Sequence, residues 1–185
     1  MNSRTFRHEV AESMREIVFG LEDSFVSTLG AVTGIAAGVQ DTHIVILSGL
    51  VIVAVEATSM AAGSYLSNKS AKQAEDEILL EEGKGGNPAI HSHLARSAAV
   101  MGTFYILGGL VPLAPYFFLP IDLAYGPSIG LTVLCLFALG AWAASFSKKS
   151  PWQGGAQMAT ISLAAATLGF IIGRAVDALG IGITM

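Results

Sequence analysis

Long apolar runs separated by short polar stretches are the dominant pattern of this 185-residue chain. A helix needs about 20 apolar residues to cross the hydrocarbon core of a bilayer, and each run is of that order. The pattern therefore predicts an all-α integral membrane protein with five transmembrane helices. The predicted spans are residues 21–39, 44–66, 97–119, 124–146 and 156–181.

The polar stretches divide the chain into four regions. Residues 1–20 carry arginine and glutamate among apolar residues at helical spacing, which predicts an amphipathic helix at the membrane surface; a solvated helical tail is the alternative. Residues 21–67 form the first transmembrane hairpin, and residues 68–95 form a short acidic segment on the cytoplasmic side. Residues 96–185 hold the last three spans.

The positions of the basic residues predict the orientation of the helices. Nine of the ten Lys and Arg residues lie before the first span, between the second and third, or between the fourth and fifth. Basic residues concentrate in cytoplasmic loops, so we expect the N-terminus to be cytoplasmic.

The composition agrees with a membrane protein and excludes other classes. The chain is 52% hydrophobic and 13% charged, whereas soluble domains are about 25% charged. The sequence contains no nucleophile elbow, phosphate-binding loop, dinucleotide fingerprint or Cys-x-x-Cys pair, so we do not expect an enzyme. Its basic residues are not interleaved with aromatic residues, so we do not expect nucleic-acid binding.

Two acidic residues interrupt the apolar runs, and ionisable groups in a bilayer are costly enough to indicate function. Asp23 begins the first span and Glu56 lies within the second. An antiparallel hairpin that turns near residue 41 places Asp23 and Met60 at nearly equal depth, about 27 Å from the turn. Glu56 is one helical turn from Met60 on the same face. We therefore predict a metal site, although Asp23 could instead face headgroups and Met60 could simply pack.

Two carboxylates and a thioether favour a transition metal over magnesium or calcium, which prefer oxygen ligands alone. The sulfur favours ferrous iron, with manganese, cobalt and zinc as alternatives. One of the two carboxyl groups could exchange a proton for the metal, which is the minimum chemistry of a metal/proton antiporter. We expect the metal as a transported ion and no resident cofactor.

Two further groups of residues are weaker candidates. Four residues near the predicted inner membrane surface could collect metal, with a solvated charged hairpin as an equally good alternative. These are Glu81, Glu82, His91 and His93. Arg174 and Asp177 lie three residues apart near the outer end of the fifth span, which predicts an internal ion pair, or alternatively part of an outer gate.

Three segments of the chain resemble the vacuolar iron transporter family. They are REIVFGLED at residues 15–23 with VST at 26–28, SMAAGSYLS at residues 59–67, and GLVPLAPY at residues 109–116. The resemblance implies a five-helix homodimer that moves ferrous iron, sometimes manganese, out of the cytosol in exchange for protons. It also implies a pathway at the subunit interface with ligands from the first two spans, where Asp23 and Met60 match family positions and Glu56 belongs to the same path.

The chain departs from the family pattern at two places. Many members carry a glutamate where this chain has Ser64. Members with a full cytoplasmic metal-binding domain insert helices rich in glutamate and methionine between the second and third spans, and here only residues 68–95 are present. Glu81 and Glu82 lie where the first glutamates of that insert would fall, so the chain is similar to the short, nodulin-like or bacterial branch.

These observations predict a proton-coupled antiporter that exports ferrous iron from the cytoplasm. The alternatives are a manganese or broad-range divalent-metal exporter, and a non-transporting membrane protein that senses iron or anchors a partner. We expect a prokaryotic inner membrane, because the chain has no targeting extension, with a vacuole-type organelle membrane as the alternative.

Overall fold

Five helices make up the computed structural model, which describes residues 3–39, 41–83, 91–146 and 150–179, with the side chains of 3–12 and 91–93 outside the description. The helices are α1 (Ser3–Val39), α2 (Thr42–Glu81), α3 (His91–Phe118), α4 (Ile121–Phe146) and α5 (Pro151–Ala178). The all-helical fold is confirmed. The amphipathic N-terminal segment and the first predicted span form one continuous helix.

Four of the helices in the described part of the chain are long and apolar enough to cross a membrane: α2, α3 from Leu94, α4 and α5. The first helix is not among them, because Glu22, Asp23 and many glycine, serine and threonine residues lower its hydropathy. Membrane crossing by α1, the orientation and the homodimer stay predictions. We call the end that holds residues 3–20 and 67–83 the basic end, and the opposite end the turn end.

Two helix boundaries follow directly from local chemistry. The Asp41 carboxylate accepts hydrogen bonds from the backbone N–H groups of His43 and Ile44, at 2.7 and 3.2 Å, and caps α2. Gly83, which follows the end of α2, has a φ of 70°, a conformation that glycine adopts without steric cost.

A seam of small residues joins α1 to α5. Gly30 and Gly34 lie so close to α5 that a Cβ on Gly169 would overlap the Gly30 carbonyl oxygen, and one on Gly173 would overlap that of Gly34. Helices approach this closely only where side chains are absent. The glycine stripe of α1, formed by Gly30, Gly34 and Gly38, therefore packs against α5 within the chain.

The third helix stays helical through its two prolines. Pro112 and Pro115 lie inside α3, which continues as helix to Phe118. Each proline lacks a backbone N–H, so the carbonyl groups four residues earlier, those of Gly108 and Val111, lose their helical donors. Ser128 of α4 donates to the Pro112 carbonyl oxygen at 2.7 Å and so ties the two helices together.

Apolar and hydroxyl side chains together fill the inside of the bundle, and large apolar groups cover its outside. Leu47, Leu134 and Leu168 are each more than 60% exposed, as expected for side chains that contact lipid. The apolar core includes Leu113 and Tyr116. Among the fully buried hydroxyl residues, Ser24 and Thr132 donate to backbone carbonyl oxygens of their own helices.

Candidate metal site

Glu56 lies about halfway along α2 and meets hydroxyl groups from two other helices. The Ser27 hydroxyl of α1 donates to Glu56 Oε2 at 2.9 Å, and the Tyr105 hydroxyl of α3 donates to the same oxygen. The Ser27 and Tyr105 hydroxyl oxygens are themselves 2.6 Å apart. Since α3 packs against both α1 and α2, this three-helix contact fixes the carboxyl group in place.

Asp23 lies one helical turn from Ser27 on α1, and its carboxyl group is within electrostatic range of that of Glu56. Both side chains are half-buried. Two acidic groups this close repel each other when both are ionised, and a bound cation or proton removes the repulsion. The structure therefore places Asp23 and Glu56 near each other, and their role as metal ligands stays a prediction.

Met60 contributes to a second polar region, which lies toward the basic end. It lines an open cavity of about 680 Å³ together with Glu16, Ser64, Asn68 and Met101. Met60 lies one turn beyond Glu56 along α2, and its side chain lines the same cavity as the Glu16 carboxylate.

Glu16 is the most buried acidic side chain in the described residues, with 2% of its surface exposed. Its carboxylate accepts hydrogen bonds from Ser97 of α3 at 2.9 Å and from Ser64 of α2 at 3.3 Å. Arg15, which is mostly exposed, pairs with it at 3.0 Å. A buried carboxylate with convergent hydroxyl, amide and thioether groups around an open cavity has the donor set of a transition-metal site.

The two acidic regions lie on one face of α1. Glu16 and Asp23 are seven residues apart, which is about two helical turns or about 10 Å along the axis. The Glu16 carboxylate therefore lies in the cavity at the basic end, and the Asp23 carboxylate lies deeper, beside Glu56.

The remaining predicted metal ligands are either exposed or outside the described side chains. Glu81 and Glu82 end α2 and are exposed, and the side chains of His91 and His93, in the first turn of α3, lie outside the described residues. Within the described ranges no three His, Cys, Asp or Glu side chains form a group that could hold a metal ion.

At the turn end, Arg174 Nη1 and Asp177 Oδ2 are 3.3 Å apart, with both side chains about half exposed. The geometry of this pair matches the ion pair that the sequence suggests. The pair lies at the turn end of α5, away from both acidic regions.

Four residues of these regions are absent from the predicted site: Glu16, Ser27, Ser97 and Tyr105. Glu16 could have been found from its seven-residue spacing to Asp23, which places both on one helix face. Because Glu16 lies in a segment rich in arginine and glutamate, the sequence predicts a surface residue there instead. Ser97 and Tyr105 carry no local signal, because only the packing of α3 brings them to the carboxylates.

Long apolar helices around buried hydroxyl groups, with carboxylates held between them, indicate an integral membrane protein. A sequence model of the VIT family matches residues 14–84 and 74–174. The chain belongs to this family, and the resemblance found in the sequence is confirmed.

Relatives of the chain include proteins named for iron transport. It is 24% identical over 217 residues to vacuolar iron transporter 1 of Tulipa gesneriana, covering 90% of this chain and 88% of the relative. It is 30% identical over 145 residues to vacuolar iron transporter homolog 1 of Arabidopsis thaliana, covering 76% of this chain and 71% of the relative. An uncharacterised protein of Methanocaldococcus jannaschii is 30% identical over 170 residues, covering 87% and 88%.

The lengths of these alignments separate two kinds of relative. The alignment to the tulip protein spans 217 residues, more than the 185 residues of this chain, so the tulip protein has inserted residues without a counterpart here. The alignment to the archaeal protein spans 170 residues over nearly the same share of this chain. The chain therefore has the compact form of the archaeal relative.

Proposed function

We propose that the protein transports a divalent transition metal, with ferrous iron as the preferred ion, and exchanges it for protons. The observation that carries the proposal is the Glu56 carboxyl group, which lies within an apolar helix, is bonded by Ser27 and Tyr105, and faces Asp23. The relatives named vacuolar iron transporters supply the class of substrate.

The pairing of two acidic groups supports proton exchange. Asp23 and Glu56 lie within electrostatic range of each other, and two ionised carboxylates this close repel each other. Either a proton or a bound metal ion removes that repulsion, so metal and proton compete for one position.

The cavity at the basic end gives the metal a first binding position. Glu16 supplies charge there, Ser64 and Asn68 supply oxygen, and Met60 supplies sulfur. An ion that leaves this cavity past Met60 reaches Asp23 and Glu56 about two turns farther along α1. With the basic end in the cytoplasm, as the positive residues predict, this order of sites corresponds to export from the cytoplasm.

Manganese is the second candidate substrate, and one observation favours it. The hydrogen-bond partners of Glu56 are hydroxyl oxygens, and Met60 lines the Glu16 cavity. Oxygen ligands suit manganese better than thioethers do. If the deeper site sets the selectivity, manganese is transported as well as iron.

The test uses the purified protein in liposomes that contain a pH-sensitive dye, with ferrous iron added under reducing conditions. We expect metal-dependent proton movement with wild type and none with Asp23→Asn, whose amide has similar volume but no charge. Metal movement without protons would refute the exchange. If iron, manganese and cobalt all fail to move, the protein is a sensor or scaffold and the transport proposal is wrong.

A further inference from the structure

A separate cavity of about 670 Å³ lies at the turn end, where α1 ends, α4 begins and α5 ends. We call it the turn-end cavity. It is lined by residues of these three helices, among them Thr33, Asp122, Tyr125 and Arg174. None of these residues belongs to the two acidic regions, so the cavity needs an explanation of its own.

The rim of the turn-end cavity carries one group of each charge. Asp122 lies in the first turn of α4 and Arg174 lies near the end of α5. Both are within electrostatic range of the Tyr125 hydroxyl. Arg174 donates to Asp177 through Nη1, and its guanidinium group has further N–H donors for a ligand.

The Thr33 hydroxyl next to the cavity is closed off from it. The side chain is 1% exposed, and the hydroxyl oxygen is buried. The polar contacts open to a ligand are therefore the charged groups of the rim.

Most of the remaining lining is apolar, and part of it is exposed on the outer surface of the bundle. Leu163 and Phe170 are each about half exposed, and Ile129 and Ala166 are further apolar members. Such a surface suits an acyl chain. A transition-metal ion does not fit here, since Arg174 repels a dication and the apolar lining offers it no ligands.

We propose that the turn-end cavity binds a zwitterionic phospholipid whose headgroup carries a primary ammonium group. The lipid phosphate binds Arg174, the ammonium group donates to Asp122, and one acyl chain lies on the apolar lining. A trimethylammonium headgroup has no N–H donor for Asp122, and an anionic headgroup is repelled by that carboxylate. Phosphatidylethanolamine therefore binds more tightly than phosphatidylcholine or phosphatidylglycerol.

Two glycines of α4 provide a matched pair of variants. Gly126 lines the turn-end cavity and Gly130 does not, and a Cβ at either position meets no atom within 4 Å. Gly126→Trp therefore introduces an indole at the cavity from a position where Cβ meets no atom, and Gly130→Trp adds the same side chain one turn away. After delipidation and addition of phosphatidylethanolamine, we expect wild type and Gly130→Trp to bind it in native mass spectrometry, and Gly126→Trp to bind it about tenfold or more weakly.

Charge variants test the headgroup contacts. Asp122→Asn is expected to abolish the preference for phosphatidylethanolamine over phosphatidylcholine, and Arg174→Gln is expected to weaken the binding of both lipids about tenfold. Asp177→Asn removes the ion pair but keeps the guanidinium group, so it should bind like wild type. Equal lipid retention by all variants, or no preference among the three headgroups, would show annular lipid only and overturn the proposal.

Discussion

Glu56→Gln is the substitution that most directly tests the intramembrane carboxylate. Glutamine has nearly the same volume, and its carbonyl oxygen can still accept hydrogen bonds from Ser27 and Tyr105. The variant therefore keeps the three-helix contact and loses only the negative charge and the exchangeable proton. We expect it to fold like wild type and to bind and transport metal poorly.

The size of the loss follows from Coulomb's law. A carboxylate about 4 Å from a dication contributes about 2 kcal/mol in water and about 8 kcal/mol at an effective dielectric constant of about 20. Glu56 is only half-buried, so the lower part of this range applies. About 2 kcal/mol corresponds to a loss of about 30-fold in metal affinity.

The assay measures the initial rate of ferrous-iron uptake into liposomes over a range of metal concentrations. Glu77→Gln is the matched control, because Glu77 lies on the same helix and is exposed beyond the two acidic regions. We expect the control to match wild type and Glu56→Gln to need about 30-fold more metal, with little or no proton movement. A Glu56→Gln protein with wild-type affinity and wild-type proton movement would refute the assignment of Glu56 to the metal path.

Three further substitutions test other parts of the account. Ser64→Glu adds a second carboxylate beside Glu16, and we expect manganese or ferrous iron to raise its unfolding temperature more than that of wild type. Met60→Ala removes the thioether and leaves the oxygen ligands, so ferrous-iron transport should fall more than manganese transport. Gly169→Ala places a Cβ against the Gly30 carbonyl, and forced overpacking of this kind typically costs about 1–3 kcal/mol.

For each of these substitutions, one result would contradict the prediction. For Gly169→Ala the control is Gly63→Ala, where a Cβ meets nothing within 4 Å. Equal unfolding temperatures of the two variants would show that close packing at the α1–α5 seam does not contribute to stability. The half-buried thiol of Cys135 reports unfolding through a thiol-reactive dye. Equal losses of iron and manganese transport in Met60→Ala would exclude sulfur as a ligand, and an unchanged metal response of Ser64→Glu would exclude the Glu16 cavity as a binding position.

The sequence was sufficient to predict the all-helical fold and the register of the first two helices, while the metal role of the Asp23 and Glu56 carboxylates stays a prediction. Apolar runs and their polar breaks locate helices because backbone groups in lipid must be satisfied within the helix. The hairpin register places residues at equal distances from the turn at equal depth, and the contact between Ser27 and Glu56 follows this register.

The side chains around those carboxylates could not be predicted in the same way. Tyr105 and Ser97 reach Glu56 and Glu16 only because α3 packs against both α1 and α2, and a helix-by-helix pattern carries no information on that packing. The helix against which the glycine stripe of α1 packs could not be predicted for the same reason. Small residues permit close approach by any helix, and only the position of Gly169 and Gly173 identifies α5 as the partner.

The central claim is that metal and protons are exchanged at one intramembrane site, and uphill transport driven by protons alone tests it most directly. Liposomes with an acidic interior and equal ferrous iron on both sides are followed for accumulation of radioactive iron, with and without an ionophore that collapses the pH gradient. The account predicts accumulation that requires the gradient and is lost in Glu56→Gln. Iron that only equilibrates, whatever the gradient, would contradict proton coupling.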